Sequence, residues 1–324
     1  MSKFFNEKYC EIITPVSAEL SKLDEIFLAH FSKILQPKNE IIPIINEFFQ
    51  QKGKRLRPAM TFLFAKAMGQ NISDLHYDIA FSNELIHNAT LIHDDIIDCS
   101  LIRRGEKTLN FNYDSKLAVL AGDYLLAEVL KIMNKFDSYE IRKIHNDAVS
   151  DLIQGELFQY FNRFKVLSIN EYMDKSKKKT ASLFEAGLVS VCYTDEHTKK
   201  FVDIARDFAQ NFGIAFQIHN DLKNITRPEK ISEDIQNGDY SAPIIFYAQD
   251  KYGQDVKKFD DLSKIFKNLK ISVAIDKTKR LIEECFDKAI ENLMYLEDNL
   301  YRCALIDLCN LFANFEESLD GYNN

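Results

Sequence analysis

Apolar residues recur at helical spacing along most of this chain, and this periodicity most limits what the chain can fold into. In residues 81–98 and 201–225, apolar side chains return about every 3.6 positions. Only 10 glycines and 6 prolines occur in 324 residues, although the turns of a β-rich fold consume both. The pattern therefore predicts an all-α fold made of long helices.

The breaks in this periodicity are few. They fall at residues 36–39 around Pro37, at 99–115 and at 226–243. No Ser/Gly linker, internal repeat or low-complexity stretch divides the sequence. We therefore expect a single domain over residues 1–324, built as a multi-helix bundle.

Charge and cysteine usage exclude several classes of protein. The formal net charge of −8 argues against a nucleic-acid partner, which needs a basic face. Six cysteines show no CxxC pair and no zinc-site spacing, which predicts reduced, mostly buried thiols in a cytoplasmic protein. Cys99 is expected to serve packing alone. No signal peptide and no run of 18 apolar residues occurs, so we expect no membrane span.

The stretch LIHDDIIDCSLIRRGEK at 91–107 concentrates negative charge on an apolar helix. Two carboxylates about 5 Å apart repel by roughly 3 kcal/mol at an effective dielectric of about 20. At 100° per residue, His87, Asp94 and Asp98 lie within about 60° of one another, whereas Asp95 points about 100° away from Asp94. A cation held by this stripe is the functional interpretation. A solvated helix end is the alternative when the motif is taken alone.

A second polar stripe lies on the helix predicted at 201–225. Gln217, Asp221 and Asn224 stand at i, i+4 and i+7, with Asn220 alongside. Carboxylate and amide oxygens without a Cys or His cluster suit a hard cation such as Mg²⁺. If the two helices face one another, their oxygen ligands would converge on one cavity.

Basic residues supply the opposite charge. GKRLRP at 53–58 contains Lys54, Arg55 and Arg57, and Arg103 and Arg104 follow the first acidic stripe. Arginine binds phosphate through a bidentate fork and lysine binds it as a point charge. Taken alone, GKRLRP is more often a solvated basic stretch. Together with the acids it indicates a Mg²⁺-bridged phosphate or diphosphate, and no glycine-rich nucleotide loop is present.

Seven motifs from about Gly53 to Pro243 carry a family resemblance. In chain order they are GKRLRP, ELIHNATLIHDDIID, RRG, LAGDYLLA, QGELFQ, KKTASLFEAG and GIAFQI. Through them the sequence resembles the trans-isoprenyl diphosphate synthases, or polyprenyl synthetases. The resemblance implies an all-α bundle around a central apolar tunnel, a homodimer, and condensation of isopentenyl diphosphate with an allylic diphosphate.

The resemblance also implies roles for individual residues. Two to three Mg²⁺ ions would be held by Asp94, Asp98, Asn220 and Asp221. The allylic diphosphate would contact Arg103, Lys179, Thr180 and Gln217, and the isopentenyl diphosphate would contact Lys54, Arg57, His87 and Arg104. The residues implied in catalysis are Asp94, Asp98, Lys179, Gln217 and Asp221.

Product length follows from the same resemblance. In the family, bulky aromatic residues just before the first aspartate motif close the tunnel, and here those positions hold Ala89 and Thr90. We therefore expect a long-chain all-trans polyprenyl diphosphate, with a peripheral membrane contact during product release.

The second acidic motif departs from the family pattern. It reads NDLKN, so Asn220 replaces an acid, and Asp239 stands where the family usually has a diphosphate-binding lysine. Two alternatives follow: a weakly active or non-catalytic subunit of a heteromeric prenyl synthase, or a class I terpene cyclase. The intact first motif argues against the former. GKRLRP and His87 argue against the latter, for which Glu229 also lies one residue late.

Overall fold

The computed structural model describes residues 3–33, 41–50, 53–103, 105–225, 234–253 and 273–314. Arg104 and Glu229 lie outside the described residues. Within them almost all regular structure is helical, which confirms the all-α prediction. No helix in this part of the chain is both long enough and apolar enough to cross a membrane.

The α-helices are numbered in chain order. They are α1 (Lys3–Ile13), α2 (Ser17–Lys33), α3 (Ile41–Gln50), α4 (Leu56–Ala67), α5 (Asp74–Ile97), α6 (Leu109–Asn112), α7 (Ser115–Met133), α8 (Tyr139–Phe161), α9 (Ile169–Ser176), α10 (Ser182–Cys192), α11 (Val202–Asn224), α12 (Ala242–Tyr252), α13 (Val273–Leu293) and α14 (Leu300–Ala313). A π-helical turn, Lys177–Ala181, joins α9 to α10, and 3-10 turns occupy Thr14–Val16 and Glu196–Phe201. Two short strands, β1 (Ile102–Arg103) and β2 (Glu106–Lys107), pair antiparallel.

The chain divides into two compact units, which we describe separately. The DDIID unit contains Pro15–Asn146 and Ala186–Lys200, and the NDLKN unit contains Met1–Thr14, Asp147–Glu185 and Phe201–Asn324. Each is named after the acidic motif that it carries. The organisation of the whole chain as a single domain stays a prediction.

Helix α5 is the central element of the DDIID unit. Fourteen of its 24 residues are buried, and it packs against α4 and α7. Its first turn is closed by a capping box between Ser73 and His76, which satisfies backbone N–H groups that the helix leaves unpaired. The β1–β2 hairpin follows directly and lies within the break predicted at 99–115.

Helix α11 has the corresponding place in the NDLKN unit, where it packs mainly on α13. Phe212 of α11 meets the rings of Phe184, Phe286 and Phe312 edge-on, at centroid distances of 5.3, 5.5 and 6.0 Å. All four rings are fully buried, and such pairs add directional attraction to hydrophobic burial. These phenylalanines therefore form the core of the unit.

Candidate active site

The first acidic stripe lies at the C-terminal end of α5, which a Schellman motif terminates. The amide of Ser100 donates to Asp95 O at 2.8 Å and that of Cys99 donates to Ile96 O at 3.2 Å. Cys99 has a left-handed φ of 51° and is exposed, so the expectation that it serves packing was wrong. Its backbone conformation ends the helix and leaves Asp98 at the C-cap.

The last turn of α5 is electrostatically unusual. It contains Asp94, Asp95 and no basic residue, although the C-terminal end of a helix carries partial negative charge. Asp94 is half-buried and Asp98 is exposed. The helix is thus buried along most of its length, but its acidic end is open. Acids and helix carbonyls together make this end attractive to a cation.

Asp95 differs from its two neighbours in both position and partner. It is only 3% exposed, and its Oδ1 accepts from Nε and Nη2 of Arg103, each at 2.7 Å. This agrees with the sequence prediction, because successive residues on a helix point about 100° apart and Asp95 therefore points away from Asp94. Arg103 is held by β1, where it pairs with Glu106, so the hairpin positions this guanidinium. Its contact with an allylic substrate stays a prediction.

The basic segment before α4 splits into two roles. Arg55 has the left-handed φ of 53° and donates to Asp24 at 3.1 Å and to Glu84 at 2.9 Å, so its charge is neutralised within the protein. Arg57 instead donates from Nη1 to Nε2 of His87 at 3.3 Å. The structure therefore brings together two of the residues predicted for isopentenyl diphosphate. Lys54, three residues before Arg57 and just before α4, is half-buried.

The two residues predicted to govern product length lie one turn before the acids. Ala89 is fully buried, whereas Thr90 is half-buried and donates its hydroxyl to His87 O at 2.8 Å. Neither side chain is bulky. Their effect on product length stays a prediction.

In the NDLKN unit, the polar stripe of α11 is half-buried at all four positions, Gln217, Asn220, Asp221 and Asn224. A chain of hydrogen bonds runs through it. Thr180 Oγ1 donates to Gln217 Oε1 at 2.7 Å, and Gln217 Nε2 donates to Asp221 Oδ1 at 2.8 Å. The buried Tyr172 donates its hydroxyl to Asp221 Oδ2 at 2.6 Å. Three of the predicted site residues are thus joined in one network.

Lys179 lies in the π-helical turn, where the amide of Ser182 reaches Lys177 O. Such turns interrupt helices at functional sites more often than elsewhere. Two glycines permit it: a Cβ on Gly155 would lie 2.9 Å from Lys179 N, and one on Gly213 would lie 2.5 Å from Cα and Cβ of Ala181. The glycines of the QGELFQ and GIAFQI motifs therefore allow backbone contact on both sides of the turn.

Charged groups gather around this turn. Lys179 Nζ lies 2.5 Å from Glu156 Oε2 and 3.4 Å from Gln159 Oε1. Burial raises the pKa of Asp221, although the charge of Lys175 and the hydroxyl of Tyr172 oppose this. Burial lowers the pKa of Lys175, against the opposing effect of Asp221. Burial thus destabilises the charged form of both Asp221 and Lys175, and the opposite charge of each residue partly offsets this for the other.

Comparison with known proteins identifies the family. The model of the family described as polyprenyl synthetase matches residues 38–282. The chain belongs to the polyprenyl synthetase family. A prenyl transferase of Cyanidium caldarium is 33% identical over 253 residues, covering 75% of this chain and 77% of the relative. A decaprenyl-diphosphate synthase of Dictyostelium discoideum is 31% identical over 291 residues, covering 85% of this chain and 63% of that protein.

A solved structure supports the same fold. The polyprenyl synthase from Caulobacter crescentus, complexed with calcium and isoprenyl diphosphate, superposes with a TM-score of 0.80. It is 25% identical in sequence, and the match covers 94% of this chain and 97% of that one. This polyprenyl synthetase thus shares the arrangement of its helices with a protein that was observed with a divalent cation.

The two acidic motifs of this polyprenyl synthetase fit a divalent cation unequally. Asp94 and Asp98 offer hard carboxylate oxygens at a helix end that favours positive charge. NDLKN offers one carboxylate, and both oxygens of Asp221 accept hydrogen bonds from Tyr172 and Gln217. Within the described residues, no three His, Cys, Asp or Glu side chains are arranged to hold a metal ion. The donor set of the second motif does not fit the ion predicted there.

Sequence reasoning missed three residues of this polyprenyl synthetase. Tyr172 and Lys175 of α9 lie beside Asp221, and Glu156 of α8 pairs with Lys179. In the sequence, Tyr172 has the pattern of an ordinary core aromatic residue. Lys175 stands four residues before Lys179, a spacing that places both on one helix face and could have drawn attention to it.

Proposed function

We propose that this polyprenyl synthetase condenses isopentenyl diphosphate with an allylic diphosphate to make a long-chain all-trans polyprenyl diphosphate. The observation that carries the proposal is the acidic end of α5. There Arg103 pairs with Asp95, so that Asp94 and Asp98 are the two acids that differ from it in position and partner. The relative named decaprenyl-diphosphate synthase supports the long-chain product. The family supports the reaction class.

In the DDIID unit, Asp94 and Asp98 are the residues that we propose to hold Mg²⁺ and, through it, the allylic diphosphate. Bound there, Mg²⁺ would supply the charge that stabilises the diphosphate as it leaves. Arg103 is fixed beside this end of α5 by Asp95 and adds a second cation. In the NDLKN unit, Lys179, Thr180 and Gln217 are the residues that we propose for the same substrate.

Isopentenyl diphosphate is assigned to the basic residues of the DDIID unit. Arg57 and His87 contact one another, so a diphosphate on this pair would meet the guanidinium's fork of donors and an imidazole beside it. Lys54 would add a point charge. Arg104, which the sequence places in the same group, lies outside the described residues.

The proposed reaction needs little proton transfer from the protein. The allylic C–O bond breaks, and the diphosphate leaves with the bonding electrons. The isopentenyl double bond attacks the resulting allylic cation and forms the new C–C bond. The released diphosphate accepts the proton that restores a double bond. The protein's part is to neutralise the leaving group and to exclude water.

One incubation tests this function. Purified protein receives Mg²⁺, labelled isopentenyl diphosphate and farnesyl or geranylgeranyl diphosphate, and the products are separated by chain length. A ladder of long prenyl products is expected. Turnover only after a partner chain is added would indicate a heteromeric subunit. Hydrocarbon release without isopentenyl diphosphate would indicate a terpene cyclase.

We also propose a homodimer, located in the cytoplasm. The support for the homodimer is a row of exposed apolar side chains along α8 and just beyond it, formed by Ile153, Leu157, Tyr160, Phe161 and Phe164. Contiguous apolar surface of this kind marks interaction sites. Analytical ultracentrifugation should show a dimer that Leu157→Lys weakens and that Leu28→Lys leaves intact, because Leu28 is an exposed apolar side chain on another helix, α2. A membrane contact during product release stays a prediction.

A further inference from the structure

Lys175 holds an unusual position in the NDLKN unit. It lies in the last turn of α9, half-buried, with Nζ 5.0 Å from the ring centroid of Tyr172. The hydroxyl of this same Tyr172 binds Asp221. The ammonium is therefore placed over an aromatic ring whose polar end reaches the one carboxylate of NDLKN.

Charge surrounds Lys175 without neutralising it by contact. Its electrostatic neighbours are Asp221, Asp239, Glu156 and Lys179. Among the described residues Lys175 forms no ion pair within 4.0 Å, whereas Lys179 is in contact with Glu156. Its ammonium is thus held in place and can still accept an anionic ligand.

The second acidic motif has the complementary deficit. With Asn220 and Asn224 in place of acids, Asp221 is its single carboxylate, and Tyr172 and Gln217 already donate to it. Mg²⁺ binds through one or two carboxylates that remain open to it. A fixed ammonium near Asp221 would also repel a divalent ion. Both facts argue against an ion at this position.

We propose that the ammonium of Lys175 takes the place of a divalent cation at NDLKN and binds the diphosphate of the allylic substrate beside Lys179. Lysine binds phosphate as a compact point charge, and partial burial strengthens that attraction. The substitution at Asp239 fits the same account, because Lys175 and Asp239 interact electrostatically and Lys175 supplies positive charge that this segment lacks. This inference rests on the proposed function for the identity of its ligand.

Binding of inorganic diphosphate tests the role of Lys175 without requiring turnover. Calorimetry with the full chain in Mg²⁺ compares wild type, Lys175→Gln and Lys178→Gln. Lys178 is the matched control, since it is exposed and donates to Gln154 at 2.9 Å. Loss of a charge-assisted contact should weaken diphosphate binding about tenfold in Lys175→Gln, and Lys178→Gln should match wild type. Equal affinity in the two variants would overturn the proposal.

Counting bound metal gives a second, independent result. Mn²⁺ bound in the presence of diphosphate is measured by electron paramagnetic resonance in wild type and in Lys175→Gln/Asn220→Asp/Asn224→Asp. We expect the triple variant to bind one more ion than wild type. An equal count would contradict the exchange of cation for ammonium.

Folding and function are controlled separately. Lys175→Arg keeps the charge and should keep diphosphate affinity, so it decides the matter if Lys175→Gln fails to fold. Loss of affinity in a folded Lys175→Arg and Lys178→Gln alike would count against a specific role. A wild-type protein that binds diphosphate but makes no prenyl product would refute the proposed function and leave the binding result for Lys175 intact.

Discussion

Arg103 closes onto Asp95 with Nε and Nη2 both 2.7 Å from the same carboxylate oxygen. We expect Asp95→Asn to lower the free energy of unfolding by about 2 kcal/mol, because it leaves a partly buried guanidinium without its charge partner. Asp94→Asn should leave stability nearly unchanged but raise the Mg²⁺ concentration for half-maximal activity about tenfold or more. Urea unfolding and Mg²⁺ titration distinguish the two, and a reversed pattern would contradict this division of roles.

His76 should make the stability of the protein fall in mild acid. Burial lowers its pKa from 6.5 to about 4. Its Nδ1 accepts from the backbone N–H of Ser73 at 3.2 Å, so the neutral ring is the form that fits. Between pH 6.5 and about 4 the unfolded chain binds the extra proton and the folded chain does not. The free energy of unfolding should therefore fall by about 3 kcal/mol as pH decreases through this window.

The control for His76 is His76→Gln, which does not titrate there and keeps an acceptor for the capping box. Urea unfolding from pH 7 to pH 4 should show a shallower decline in this variant. Parallel curves would indicate that other groups cause the loss.

Gly213→Ala should disturb the π-helical turn that carries Lys179. The new Cβ would lie 2.5 Å from Cα and Cβ of Ala181, a contact that only backbone movement relieves. Overpacking of this kind costs about 1–3 kcal/mol, measured by thermal or urea unfolding. The double variant Gly213→Ala/Ala181→Gly removes one of the two clashing atoms and should recover part of the loss. Full stability in Gly213→Ala alone would show that the close approach is not required.

Tyr172→Phe should destabilise the protein through Asp221. It removes the donor 2.6 Å from Oδ2 and leaves a carboxylate oxygen inside the unit without that bond, at a cost of about 1–3 kcal/mol. Tyr77→Phe is the matched control, because Tyr77 is also buried and its hydroxyl makes no hydrogen bond with the described residues. Chemical unfolding of both variants at pH 7 checks the expectation. An equal effect would argue that ring burial, and not the hydroxyl, is what matters.

Long-range periodicity predicted the fold well, because a buried helix face must repeat apolar residues every turn. The expected helices at 81–98 and 201–225 correspond to Asp74–Ile97 and Val202–Asn224. The β1–β2 hairpin and the π-helical turn were not predicted. Each involves only a few residues, and their geometry depends on Arg103 meeting Asp95 and on glycines distant in sequence.

The candidate site was predictable where side chains share one helix. The stripe Gln217–Asp221 follows from helix geometry alone, and the separation of Asp95 from Asp94 does too. Lys175 and Tyr172 could not be assigned, since their importance comes from packing against α11 from another helix. Whether the two acidic stripes converge on one cavity stays a prediction.

The glycines at 155 and 213 have a consequence for how this unit can change over time. At both positions the backbone of the π-helical turn lies so close to the glycine that a side chain would not fit. The spacing around Lys179 is therefore set by the backbone itself. Substitutions that reshape the phenylalanine cluster alter side-chain volumes but not this spacing. We therefore expect the turn that carries Lys179 to keep its position when mutations change the side chains of the hydrophobic core. The core could then be redesigned without moving this turn.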